Sequence, residues 1–85
     1  MMLQVFFHFT DLDGVTHHTN PKPYEFDESA VHALFKSDEV CYPLTIRDDN
    51  NGKVTIGKMS SIEHVVFDLF HEVPVLRIHL QEANK

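Results

Sequence analysis

Cysteine occurs once in this chain, as Cys41. One thiol can form no internal disulfide and no zinc knuckle, so a disulfide-stapled secreted scaffold is excluded and a reducing, cytoplasmic setting is expected. Basic residues are also scarce: seven Lys and Arg stand against thirteen Asp and Glu, for a formal charge of −6. Nucleic-acid binders need a basic patch that displaces counterions from phosphate, and anionic lipid asks for the same, so neither partner is expected. Tryptophan is missing, and the three glycines stand alone at Gly14, Gly52 and Gly57, which leaves no glycine-rich phosphate loop. The stretch Lys53-Val54-Thr55-Ile56-Gly57 lacks the aromatics of an RNA-recognition strand. No apolar run approaches the ~20 residues of a membrane span. The opening residues Met1 to Phe7 have neither the charged region nor the cleavage site of a signal peptide, and a complete natural chain is expected.

What is present is enough for one core. The 85 residues are 42% hydrophobic, which argues for a single compact domain over 1–85 and against disorder. A chain this short buries only about 60–70% of its unfolded surface, so little apolar material is spare.

Leu3, Val5, Phe7 and Phe9 alternate with Gln4, Phe6, His8 and Thr10, which predicts a strand over 2–10. Asp11-Leu12-Asp13-Gly14 is turn chemistry, and Val15 to Asn20 returns as a second strand. With Gly14 left-handed in a three-residue loop, Val15 pairs with Asp11, His18 faces His8, and His17 joins Phe7 and Phe9. Asn20-Pro21-Lys22-Pro23 forces an extended connection. A short helix follows, capped by Asp27, stapled by Phe26 and Val31, and striped by Ala30, Val31, Leu34 and Phe35. A strand over 40–47 carries Tyr42, Leu44 and Ile46 on one face, and Pro43 puts it at an edge. Asp48-Asp49-Asn50-Asn51-Gly52 is a hairpin turn, with Ile46 expected opposite Ile56.

The spacing of Ile62, Val65, Val66, Leu69, Phe70 and Val73 predicts a second helix over 60–72, although β-branched Val65 and Val66 favour a strand over 61–67. Val75 to Leu80 reads as the last strand, with Leu76, Ile78 and Leu80 inward. The expected fold is therefore α+β: a small two-layer sandwich in the order ββαββαβ, with a mostly antiparallel sheet and two short helices. Merging or dropping the first strand yields the ferredoxin-like order βαββαβ.

Seven histidines are the one unusual count: His8, His17, His18, His32, His64, His71 and His79. A metal site needs several ligands converging on one ion. His8 with His18 across a strand pair, or His64 with Asp68 on a helix, would supply two, and no H-E-x-x-H motif supports more. Surface and strand-edge histidines are the simpler reading, with no cofactor. The turn at Asp48 and Asp49 fails as a calcium loop, because Arg47 and Lys58 stand where carboxylates are required. Cys41 has no activating base marked nearby, and no spacing singles out a catalytic carboxylate pair.

Phe6 falls opposite the apolar face of its strand, and Phe67 falls beside His64 and His71 on the polar side of the expected helix. Misplaced aromatics among histidines suggest an interface. The function expected is a small non-enzymatic protein-binding module, of inhibitor, immunity or adaptor type. It would use Phe6, His8, His64, Phe67 and His71 with acidic Asp48 and Asp49 against a basic partner protein or a second copy of the chain. The alternative is a homodimeric small-molecule or metal-binding domain built on clustered histidines.

Overall fold

The computed structural model describes residues 2–18, 23–48, 50, 52–70 and 72–83. Seven elements follow one another: β1 (Leu3–Thr10), β2 (Thr16–His18), β3 (Tyr24–Phe26), α1 (Glu28–Lys36), β4 (Val40–Asp48), β5 (Gly52–Asp68) and β6 (Val75–Glu82). The strands form one sheet in the order β2-β1-β6-β5-β4, with β3 also paired to β1, and the sheet curls into a half-barrel. β1 and β6 run parallel, and the other pairs are antiparallel. Among the described residues no helix is long and apolar enough to cross a membrane.

Alternation builds the core. Val5, Phe7 and Phe9 of β1 lie beside Leu76, Ile78 and Leu80 of β6, and all six are buried. Tyr42 and Leu44 of β4 complete the cluster, and the Phe9 and Tyr42 rings stack at 4.7 Å. β4 lies at the sheet edge, as Pro43 requires.

The two-helix sandwich, and with it the ferredoxin-like order, is not what forms. Residues 60–68 belong to β5, a strand of 17 residues that pairs with β4 through its first half and with β6 through its second. The reason lies at a β-bulge. Ile62 pairs with Leu80 while His64 pairs with His79, so Glu63 is one residue extra. That extra residue shifts the phase of the alternation, and Ile62 and Val65, three apart, come to lie on one face. A bulged strand thus mimics helical spacing, and the β-branched residues decide against the helix. Ser60, fully buried, pairs with both Val40 and Glu82, and its hydroxyl donates to the Val40 carbonyl at 2.8 Å.

Local chemistry elsewhere follows expectation more closely. Gly14 has φ +86°, the Asp11 amide donates to the Val15 carbonyl, and β2 joins β1 with His18 opposite His8 and His17 opposite Phe9. Asp11 Oδ1 accepts from the Asp13 and Val15 amides, while Oδ2 lies 3.0 Å from His17 Nε2. In the second hairpin Gly52 is left-handed at φ +83° but already pairs with Asp48, so Ile46 faces Val54 and Leu44 faces Ile56. A shift of two positions keeps every inward residue inward. The connection after the prolines ends in β3, a strand not anticipated, before Asp27 caps α1 by accepting from the Ala30 amide at 2.8 Å. Phe26 and Val31 both pack on the core, as a staple would.

Two outcomes follow. Ile78 sits in the central strand with no exposed surface, so Ile78→Ala should cost about 2–5 kcal/mol in urea unfolding. The Asp11 carboxyl is held below the ordinary carboxylate range, chiefly by the bond with His17 and then by the Val15 amide. A depressed carboxyl contributes stability that is present above the ordinary carboxylate range and is lost as pH falls through the lowered value. Asp11→Asn should therefore flatten this part of the acid limb of stability, read from urea midpoints between about pH 5 and about pH 2. An unchanged acid limb would count against the His17 contact.

Candidate functional site

Two surfaces concentrate chemistry, one on each face of the sheet. The outer face is set by register. His8 of β1 lies across from His79 of β6, which lies across from His64 of β5. The His8 and His79 rings stack at 4.7 Å and 17°, and the His79 and His64 rings meet at 5.3 Å and 55°. On the other side of β1, His18 of β2 is the register partner of His8.

Next to this row, Arg77 of β6 lies between Phe6 and Val66. Its guanidinium carbon stands 5.4 Å from the Phe6 ring centre, a cation–π contact. Its Nε donates to Asp68 Oδ2 at 3.1 Å, with both side chains largely shielded. Its Nη1 lies 3.4 Å from His8 Nε2. Arginine has no acceptor, so His8 Nε2 accepts and the neutral ring carries its proton on Nδ1.

The second surface lies on the core face, where α1 covers the sheet in part. Val31 and Leu34 pack on the core, yet no residue of α1 is fully buried. One flank of α1 opens a cleft of about 480 Å³ lined by Leu3, Phe26, Val31, Phe35 and Phe67, with Asp27, Glu28 and His32 on its wall. The other flank opens a cleft of about 320 Å³ that includes Phe7, Tyr24, Leu34, Tyr42 and Pro43. The segment after β5 exposes Leu69 and Val73 by half or more, and Phe70 by 90%.

The residues singled out from sequence divide between these surfaces. Phe6, His8, His64 and Asp68 share the outer face, whereas Phe67 pairs with Leu76 and lies on the core face. Phe6 and Phe67 therefore form no common surface; the expected helix had hidden the alternation that separates them. His64 and Asp68 sit four residues apart on a strand, about 13 Å, and cannot share an ion. Asp68 instead holds Arg77. Asp49 and His71 lie outside the described residues, as do the side chains of His18 and Asp48. Among the described residues no group of three or more His, Cys, Asp or Glu is placed to hold a metal ion.

Sequence reasoning missed Phe35, Leu69, Phe70 and Val73 as surface, having assigned them to buried helix stripes. It read His79 as outward from the period of β6, but its place beside His8 depended on strand order. No family model matches the chain, and neither a curated protein nor a solved structure shows significant similarity to it.

The Arg77 contact fixes an observable. Long-range ¹H–¹⁵N correlation at neutral pH should show His8 as the Nδ1–H tautomer, and Arg77→Leu should shift it toward the usual mixture. A wild-type His8 protonated on Nε2 would refute the contact.

Proposed function

We propose that this chain is a small non-enzymatic protein-binding module of inhibitor, immunity or adaptor type, working in the cytoplasm. Its ligand is an apolar segment of another protein flanked by basic residues, and the seat is the cleft between α1 and the end of β5. The observation that carries this reading is the apolar surface there: of the cleft's lining, Phe35 is 46% exposed and Phe67 58%, and Leu69 and Phe70, which follow Phe67 in the chain, are 68% and 90% exposed. Monomeric proteins seldom leave contiguous apolar surface open, and aromatic anchors dominate interfaces.

Charge selects the partner. Asp27 and Glu28 stand on the cleft wall, and Glu72 is exposed in the segment that carries Phe70 and Val73. With a formal charge of −6 on the whole chain, long-range attraction speeds the approach of a basic segment and repels acidic ones. Phe67 is the anchor of this surface; Phe6, leaning on Arg77 across the sheet, is outside it.

Selection from a displayed peptide library against the tag-free protein tests the reading. The expected binders join aromatic or aliphatic residues to Lys or Arg, perturb the amides of Phe35 and Phe67 in titrations followed by NMR, and lose at least tenfold in affinity with Phe67→Asp. Binders that map to the outer face, or that ignore Phe67→Asp, would overturn it.

A further inference from the structure

We propose that the histidine row on the outer face is a site for a divalent transition-metal ion of the zinc, nickel or copper type, seated between His79 and His64. This site lies on the opposite face from the apolar cleft and does not depend on it. Three observations carry the inference.

The first is placement. Three imidazoles from three adjacent strands stand side by side, held by the β1–β6 and β5–β6 ladders on which the core itself rests. Rigid strands preorganise ligands better than loops do. The second is spacing. Two imidazoles bound to one tetrahedral zinc ion at about 2.0–2.1 Å place their ring centres roughly 5 Å apart. The His79–His64 separation of 5.3 Å matches, and the 55° between these rings lets both aim at a common point after small χ rotations. The His8–His79 pair has the separation, 4.7 Å, but its rings lie nearly parallel at 17°. His8 must turn out of its stack, and release Arg77, before it can serve as a third ligand.

The third is charge and ligand type. Imidazole suits zinc, copper and nickel. Asp68 is engaged by Arg77, and the donors between His79 and His64 are imidazole nitrogens, with water to complete the set. Arg77 contacts the His8 end of the row, and its charge favours placing the cation toward His64, which is solvent-exposed and open to ligand entry. Two imidazoles with water complete the first state of the site; His8 tightens it.

Calorimetric titration of tag-free protein with zinc chloride, and separately with nickel chloride, tests the site. Saturable uptake of one ion per chain is expected at pH 7.5, falling steeply toward pH 5.5 as protons compete for the ligands. His79→Gln and His64→Gln should each weaken uptake at least tenfold, and His8→Gln by a smaller factor. His32→Gln, on α1, should change nothing. Circular dichroism of each variant checks folding, and exposed His64 supplies a test that spares the core. Absence of saturable uptake would overturn the proposal. So would uptake unaffected by His64→Gln, or uptake that depends on only one of His79 and His64.

Discussion

The placement of β6 between β1 and β5 is the constraint from which the rest of this structure follows. Leu76, Ile78 and Leu80 are buried against Val5, Phe7 and Phe9 on one side of the sheet. The pleat then leaves Arg77 and His79 no choice but the other side. Because β1 and β6 are in register with alternating side chains, a single apolar interaction aligns the polar residues too. Phe6 meets Arg77 and His8 meets His79 as a consequence of core packing.

The bulge at Glu63 is the second device. It gives β5 one more residue than β6 across their ladder and rephases the strand, so that His64 reaches His79 while Val65 and Phe67 stay with Ile78 and Leu76. Bulges bend and twist the strand that carries them. β5 also changes partner at Ser60, where β4 gives way to β6. A small side chain suits that junction, and its one polar atom is satisfied by the Val40 carbonyl.

The sheet is covered unevenly. Among the described residues one helix, of nine residues, packs on the core face, with none of them fully buried and its start capped by Asp27. A helix this short gains little from propensity alone and owes its stability to the face it lays on the sheet. It leaves a cleft on each flank, and one of them is lined in part by the exposed Phe35 and Phe67. A core too small to need a second helix has its surplus apolar residues at the surface instead.

Much of this was legible in the chain without coordinates. Period-two alternation marked β1, β4 and β6 with their inward faces, the Asp11 to Gly14 turn set the His8–His18 register, and Asp27 marked the helix start. These are local effects, carried by φ preferences, caps and the pleat. The reading of 60–72 failed because one bulged residue makes a strand look helical, and nothing local announces a bulge. The row of His8, His79 and His64 was beyond reach for a different reason. Its members are up to 71 positions apart in the chain, and their adjacency is a property of strand order, which long-range burial of apolar residues decides. Along β1, β4 and β6 the sequence by itself determined which way the side chains point, because the pleat alternates residue by residue; only the tertiary structure decided which of them meet, because strand order is set by long-range burial.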